Sequence, residues 1–356
     1  MTPASLLSLS HALCMKALFR EGPALLGLLD APMPGLDEGE VLLKVEASGL
    51  FPWDLRALPE GVRASALVGR GVAGTVAKAA PGVADFKKGD RVFVPLHAPC
   101  LECHHCRRQS WSTCVDAWKE HLEPAGLAPS MRVPARHVRT AMLSLPKKIA
   151  FAEATLLEPL AGCVNAFRKA GTREGDCAVV AGLGILGLLA ARELTRMGVV
   201  VVGVDPEPGF VRQAQKLGLE HAYTGRDGRL QDLVFGITGG RGADLLFAAA
   251  GDAPGLALKL AWVRDGGSVC LADFPPAKPE PSFGLGELSR RSIAVFGGLC
   301  AGPEDLSEAR RRVASGETRL GPFVKHDFPI GAYAEAVRRL LGREIANAVL
   351  MPQKPA

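Results

Sequence analysis

The sequence predicts an α/β protein in which a β-rich part precedes a doubly wound parallel sheet with helices on both faces. In the first part, GEVLLKVEASGL alternates apolar and other residues from Val41 to Ala47, the pattern of a half-buried strand. In the second part, valine-rich runs such as CAVVAG and VVVVGVD are separated by helical stretches, which is typical of buried parallel strands. A length of 356 residues is sufficient for two domains.

The predicted elements follow a consistent order along the chain. MKALF, from Met15, is predicted as the first strand, and short strands and turns continue to about Leu145. A helical segment then covers LPKKIAFAEATLLEPLAGCVNAFRKAG, after which strands alternate with helices at residues 186–197 and about 209–217. From about Cys300 the pattern is helix, strand, helix and a last strand, NAVLMP.

Composition argues against several classes of function. The net charge of +5 is small and is not gathered into a basic run, so nucleic acid is not expected as a partner. No apolar run reaches the ~18 residues of a membrane span. MTPASLLSLSHALC lacks a basic segment, so we expect residues 1–15 to be a tail rather than a signal peptide. We therefore expect a cytoplasmic protein whose partners include neither nucleic acid nor a membrane.

A glycine motif opens the second part of the chain. Gly182, Gly184 and Gly187 have G-x-G-x-x-G spacing, follow a predicted strand and begin a predicted helix. In a Rossmann unit the first glycine allows a tight turn, the second lets backbone approach a pyrophosphate, and the third lets helix and strand pack closely. Backbone N–H groups at the helix N-terminus would hold the phosphates. The alternative is an α/β domain with a glycine-rich turn and no nucleotide.

The residue that ends the next strand predicts which nucleotide binds. Asp205 would accept hydrogen bonds from the adenosine ribose, and its charge would repel a 2′-phosphate. The next arginine in the sequence is Arg212. The sequence therefore favours NAD(H) over NADP(H).

A cysteine cluster predicts a metal site. Four of the nine cysteines, Cys100, Cys103, Cys106 and Cys114, have C-x2-C-x2-C-x7-C spacing in PCLECHHCRRQSWSTC. Four thiolates on one loop can close tetrahedrally around Zn²⁺ with no open position, as in structural sites. An iron–sulfur cluster also takes four cysteines, but the wide final gap and the lack of a following proline favour zinc.

These motifs, in this order, resemble the zinc-containing alcohol and polyol dehydrogenase branch of the medium-chain dehydrogenase/reductase superfamily. The resemblance extends from about Met15 to Pro352 and includes EASGLFPWDL, VGRGVAGTV, KKGDRV, LLEPLAG, RDGGSV and VKHDFP. It implies a GroES-like catalytic domain, interrupted by a Rossmann domain, with the active site in the cleft between them. The implied boundaries are 16–163 with 300–356 for the catalytic domain, 97–116 for the cysteine lobe, and 164–299 for the Rossmann domain.

The resemblance also implies further contacts. It implies a homo-dimer or homo-tetramer, often formed through sheet edges of the Rossmann domains. Additional cofactor contacts are implied at the glycine turn and near the ends of later strands: Leu183, Ile185, Leu186, Ala250, Gly251, Leu271, Ala272, Phe296 and Gly297.

The residues expected to hold a catalytic zinc are largely missing. Aligned on the family motifs, Phe51 stands at the cysteine ligand, Trp53 at the proton-relaying hydroxyl and Arg70 at the histidine ligand, with Gly71 at the adjacent glutamate. Glu158 alone matches a ligand position. Phenylalanine has no lone pair and arginine stays protonated, so one carboxylate cannot form a three-ligand site. We therefore expect one structural zinc per chain and no catalytic zinc.

Loss of the metal changes the expected chemistry. Without a Lewis acid, hydride exchange with an alcohol or ketone is harder by several kcal/mol. The sequence thus favours an NAD(P)H-dependent oxidoreductase that reduces a polarised C=C or C=N bond. The alternatives are a metal-independent alcohol or polyol dehydrogenase and a non-catalytic protein that binds NAD or a partner.

The remaining candidate residues each have two interpretations. Arg70 binds a substrate carboxylate or a developing enolate, or it pairs with Asp54 or Glu158 and fills the vacated metal volume. Phe51 and Trp53 form an aromatic wall for substrate, or they pack in place of the metal centre. Glu158 is an acid or base, or a hydrogen-bonded relic. His97 has no partner visible in the sequence and is expected to be structural.

Overall fold

The computed structural model describes residues 14–22, 25–55, 69–117, 119, 121–124, 127–225, 229–249, 259–273, 284–297 and 301–354. The strands of these residues, β1 to β15 in chain order, are Cys14–Gly22, Leu25–Pro32, Val41–Leu50, Arg70–Ala79, Arg91–Val94, Ser130–Val133, Leu143–Ser144, Cys177–Ala181, Val200–Val204, His221–Tyr223, Ala243–Ala248, Val263–Leu271, Ala294–Gly297, Asp327–Pro329 and Ala348–Met351. The helices, α1 to α10, are His104–Arg107, Ala135–Thr140, Phe151–Ala154, Leu157–Ala170, Ile185–Arg196, Pro208–Lys216, Leu230–Ile237, Leu285–Arg290, Pro303–Ser315 and Tyr333–Leu341.

The first half forms a seven-stranded sheet that includes the end of the chain. Its order is β14-β15-β3-β4-β5-β7, and β6 pairs with β3. Strand β15 runs antiparallel to β3, with Ala348 opposite Leu50, so the C-terminal segment lies beside the strand that leads into the predicted site. Strands β1 and β2 form a separate antiparallel hairpin.

The second half forms a six-stranded sheet in the order β10-β9-β8-β11-β12-β13. All five neighbouring pairs are parallel, which confirms the predicted parallel sheet. The strand order reverses at β8, between β9 on one side and β11 on the other. Ligands of doubly wound sheets bind at this point, beyond the carboxyl ends of the strands.

One hydrophobic cluster joins the two halves. It contains Phe51, Ala73 and Phe93 from the first half as well as Val180 and Phe247 from the second. The helix α4, between the sheets, buries ten of its fourteen residues. Gly171 follows the last helical residue, and its φ of 66° suits a left-handed C-terminal cap. The N–H of Thr172 donates to the carbonyl of Phe167 at 3.1 Å and completes the cap.

The predicted continuous helix over LPKKIAFAEATLLEPLAGCVNAFRKAG is wrong in its first half. Residues up to Ala150 are not helical, and a break at Thr155 and Leu156 separates α3 from α4. The hydroxyl of Thr155 donates to the carbonyl of Ala152 at 2.7 Å and closes the short helix. The backbone carbonyl of Thr155 also lies against Gly71, where a Cβ would collide with it. This close approach of β4 explains a glycine at a position where the resemblance implies glutamate.

None of the helices in the described ranges has both the length and the apolar character needed to cross a membrane.

Candidate active site

The end of β3 and the start of β4 bring three predicted site residues together. Gly49 pairs with Arg70 across the two strands, and the short turn Pro52–Leu55 follows directly. The carboxylate of Asp54 accepts the N–H of Phe51 at 2.9 Å, and the N–H of Asp54 donates to the carbonyl of Phe51, also at 2.9 Å. Because this turn is closed at both ends, the Asp54 carboxylate is held in one orientation.

Arg70 and Asp54 form an ion pair. The Nε of Arg70 lies 2.6 Å from Oδ1 of Asp54, whose side chain is fully buried, while Arg70 is partly exposed. Burial raises the pKa of Asp54 to about 6, although the charge of Arg70 and the N–H of Phe51 both act to lower it. The carboxyl is therefore mostly ionised at neutral pH and protonates in mildly acidic solution.

Glu158 has a partner that the sequence did not reveal. From α4, one of its carboxylate oxygens accepts the N–H of Leu96 at 3.2 Å, and the other lies 3.7 Å from Nδ1 of the buried His97. Burial acts to raise the pKa of Glu158, but the adjacent imidazole of His97 and the positive charge of Arg70 hold it below its usual value. Glu158 is thus ionised at neutral pH and is poorly suited to donate a proton.

These residues form one electrostatic cluster. The charge of Arg70 acts on Glu158, and the charge of Glu158 in turn raises the pKa of Asp54. His97 belongs to this cluster through Glu158, a partner that is not visible in the sequence. In the sequence its one signal is its place in VPLHAPC, at the end of an apolar strand and three residues before the first cysteine of the lobe.

Phe51 and Trp53 stack on each other, but they face different environments. Their ring centroids are 4.8 Å apart and their planes differ by 20°. Phe51 is 0% exposed and lies over Gly49, where a Cβ would be 2.6 Å from its ring. This burial in the core favours the interpretation in which Phe51 packs in place of a metal centre over the one in which it lines a substrate pocket. Trp53 is partly exposed, so it is the member of the pair that a substrate can touch.

The glycine turn has the shape that a dinucleotide requires. Gly182 has a φ of 97°, and its N–H donates to the carbonyl of Val204 at 2.7 Å. A Cβ on Gly187 would collide with the carbonyl of Gly182, so helix and strand touch there. A Cβ on Gly184 would meet nothing within 4 Å, which leaves open space before the helix N-terminus. The free N–H groups of the first turn of α5 can bind phosphate in that space.

Asp205 lies at the carboxyl end of β9, as predicted, but its carboxylate already has several partners. It accepts the N–H of Leu183 at 2.7 Å and the N–H of Glu207 at 2.8 Å, and it pairs with Arg343 at 2.7 Å. The nearest arginine in the sequence, Arg212, is thus not the relevant one. Arg343 lies 138 positions from Asp205 in the chain, so no local sequence pattern links the two residues.

The other predicted cofactor residues vary in how they can contact a ligand. The side chains of Leu183, Ile185 and Leu186 are buried in the core, so only their backbone can reach a nucleotide. Ala250 and Gly251 lie outside the described residues. The remaining four follow or end two neighbouring parallel strands at one edge of the sheet: Leu271, Ala272, Phe296 and Gly297.

The four lobe cysteines fit a metal ion. Their sulfur atoms all lie within 4.8 Å of one another, and no other such group occurs in the described part of the chain. Cys100 lies 3.9 Å from Cys106 and 3.6 Å from Cys114, close to the ~3.8 Å that tetrahedral sulfurs at ~2.3 Å from zinc require. The N–H groups of Glu102 and Cys103 help lower the pKa of Cys100 to about 7.

The lobe is packed against the second half of the chain. Trp111 lies directly against Gly302, where any Cβ would collide with its indole ring. Gln109 accepts a hydrogen bond from Arg168 at 3.2 Å, and Arg168 lies 3.6 Å from Asp305. The lobe is therefore fixed against α4 and α9.

Comparison with known proteins agrees with this architecture. A model of the alcohol dehydrogenase GroES-like domain matches residues 37–145, and a model of the zinc-binding dehydrogenase family matches residues 182–315. The sorbitol dehydrogenase of Halalkalibacterium halodurans is 25% identical over 349 residues, which cover 95% of this chain and 99% of that protein.

Solved structures share the fold over nearly the whole chain. The alcohol dehydrogenase TADH from Thermus sp. ATN1 superposes with a TM-score of 0.85 at 23% identity, covering 95% of this chain and 100% of that one. The acetophenone reductase of Geotrichum candidum, in complex with NAD, has a TM-score of 0.81 at 23% identity, covering 95% and 97%.

Proposed function

The chain belongs to the zinc-type medium-chain dehydrogenase/reductase superfamily and is an NAD(P)-dependent oxidoreductase, and from this premise we propose that it transfers hydride without a catalytic zinc. The proposed reaction is the reduction of a polarised C=C or C=N bond in a small molecule. The cysteine lobe holds the one structural zinc of each chain.

The observation that carries the proposal is the ion pair of Arg70 with Asp54. A guanidinium stands where the resemblance implies an imidazole ligand, and the fully buried Phe51 stands where it implies a thiolate. Of the three ligand positions, only Glu158 offers a lone pair. Since a catalytic zinc site uses three protein ligands, this donor set does not fit one.

The charged residues of the cluster would stabilise charge that develops on a substrate during hydride transfer. The bound nicotinamide supplies the hydride. When hydride adds to the β-carbon of an activated C=C bond, the electron pair moves to the carbonyl oxygen, and a fixed positive charge such as Arg70 stabilises the enolate. Water then supplies the proton that the α-carbon takes up to complete the reduction. Glu158, kept ionised by His97 and Arg70, adds negative charge that suits an iminium substrate instead. Trp53 provides a partly exposed aromatic face beside these groups.

A metal count on the purified full-length protein tests the proposal. We expect about one zinc per chain, and none in Cys106→Ser, because the lobe is then incomplete. With NADH, reduction of α,β-unsaturated carbonyls or cyclic imines should exceed reduction of simple ketones. Two zinc ions per chain, or one that persists in Cys106→Ser, would contradict the proposal.

NAD(H) is the proposed preferred nucleotide, since a carboxylate ends β9. The proposed oligomer is a homo-dimer or homo-tetramer, supported by the partly exposed edge strand β13. A cytoplasmic location is supported by the absence of disulfides among the described cysteines.

A metal-independent alcohol or polyol dehydrogenase is the second candidate. It is favoured by the buried His97–Glu158 pair, which could accept a proton from an alcohol, and by the similarity to a sorbitol dehydrogenase. NAD⁺-dependent oxidation of sorbitol that exceeds every enone or imine reduction would favour this candidate.

A further inference from the structure

The adenosine end of the proposed nucleotide site contains a cation from the other half of the chain. Arg343 follows α10, which packs near β14 and β15 of the first sheet. Its guanidinium lies 2.7 Å from Asp205 and 5.2 Å from the ring centroid of Phe210 in α6. With 45% of its side chain exposed, Arg343 remains accessible to a ligand at this point.

The backbone aims this side chain. Arg343 has a φ of 54°, in the left-handed region that an arginine rarely adopts. The turn is closed by hydrogen bonds from the N–H of Arg343 to the carbonyl of Leu340 at 3.1 Å and from Glu344 to Arg339 at 2.9 Å. The left-handed residue therefore projects its side chain from a fixed turn toward the end of β9.

The hydrogen bonds of Asp205 change what this carboxylate can recognise. A carboxylate has about four acceptor positions, and Leu183, Glu207 and Arg343 together occupy three of them. While Arg343 stays in place, the Asp205 carboxylate cannot accept hydrogen bonds from both hydroxyls of the adenosine ribose. The charge of Asp205, which would repel a 2′-phosphate, is balanced by the guanidinium.

We propose that Arg343 allows this protein to bind NADP(H) as well as NAD(H), by donating to the 2′-phosphate of the adenosine ribose. The two backbone N–H groups keep Asp205 in place while Arg343 turns from the carboxylate to the phosphate. With NAD(H), Arg343 moves aside and Asp205 accepts the ribose hydroxyls. The inference rests on the proposed nucleotide site, but it does not depend on the substrate or on the catalytic metal.

Direct binding measurements test this role without any substrate. Dissociation constants of NAD⁺ and NADP⁺ are measured by calorimetry on the full-length protein and on Arg343→Gln and Arg343→Lys. We expect the wild type to bind NADP⁺ within about tenfold of NAD⁺. Arg343→Gln should weaken NADP⁺ by about tenfold to a hundredfold, the effect of losing a charged hydrogen bond. It should leave NAD⁺ binding unchanged or strengthen it, because Asp205 no longer has to release Arg343 before it accepts the ribose hydroxyls. Arg343→Lys should retain part of the NADP⁺ affinity.

Arg338→Gln is the matched control, because this arginine lies five residues earlier and pairs with Glu335 and Glu344 on the surface. It should leave both constants unchanged. Equal weakening of both nucleotides in Arg343→Gln, or a wild type that binds NADP⁺ more than about a thousandfold more weakly than NAD⁺, would overturn the inference. Binding of neither nucleotide would overturn the site itself, whereas two zinc ions per chain would affect only the proposed chemistry.

Discussion

The pairing of Arg70 with Asp54 matters for the stability of the site as well as for its proposed chemistry. Asp54 is fully buried, and Arg70 is its ion-pair partner. Removing one member of a buried ion pair leaves an uncompensated charge, which costs more than the pair itself contributes. The pair therefore maintains the local turn whether or not Arg70 touches a substrate.

At about pH 8, we expect Arg70→Ala to lower the free energy of unfolding by about 3 kcal/mol, because ionised Asp54 loses its partner. Near pH 5 the loss should be smaller, since Asp54 can take up a proton. Urea denaturation at the two pH values measures the difference. The double variant Arg70→Ala/Asp54→Asn, which has no buried charge at this position, should lose less than Arg70→Ala at the higher pH.

The direction of this pH dependence follows from the pKa of Asp54, which rises from 3.8 to about 6 on folding. A raised pKa gives a stabilising contribution that is complete below the unfolded value and is lost as pH rises through about 6. Glu158 acts in the opposite sense, because its lowered pKa gives a contribution that is lost as the solution becomes acidic. A loss in Arg70→Ala that is equal at both pH values would contradict the assignment to Asp54.

At the scale of elements, the packing of β4 against the break after α3 depends on one glycine. Gly71 has a φ of 60°, and its missing Cβ leaves room for the carbonyl of Thr155. Gly71→Ala should lower the free energy of unfolding by more than about 3 kcal/mol, since strain and collision add. Gly89→Ala is the control: its φ is also positive, but a Cβ there meets nothing within 4 Å, so about 1 kcal/mol is expected. The free energy of unfolding of both variants is measured by urea denaturation. Losses of similar size would contradict the prediction, because they would mean that the backbone shifts and relieves the collision at residue 71.

Elements with regular patterns could be predicted from the sequence, whereas long-range pairings could not. The parallel strands and the helix of the glycine motif follow from local apolar runs and turn residues, and they are confirmed. The break after α3 depends on the approach of β4, and the pairing of Asp205 with Arg343 joins residues 138 positions apart. Local patterns also gave no indication that His97 reaches Glu158, because that contact joins a loop to a helix.

At the scale of the whole molecule, the cysteine lobe would connect binding of the proposed zinc to the packing of α4 and α9. Removing the metal with a strong chelator should loosen the lobe and expose Trp111, which is buried against Gly302. We expect a shift of the tryptophan emission to longer wavelength and a lower thermal midpoint, with nucleotide affinity unchanged. When the chelator is added to the Trp111→Phe variant, its thermal midpoint should fall by a similar amount, but the tryptophan emission should not shift. An emission change that persists in this variant would place the loosening elsewhere.

The buried cluster that contains both Phe51 and Val180 makes the two halves dependent on each other. Apolar surface that one sheet contributes to this cluster would face water if the other sheet were cut away. Neither half is thus expected to fold stably on its own. A fragment that contains only one half should aggregate and show no activity. Because the two halves share this interior, substitutions deep within it can shift the residues of the candidate active site without touching a ligand.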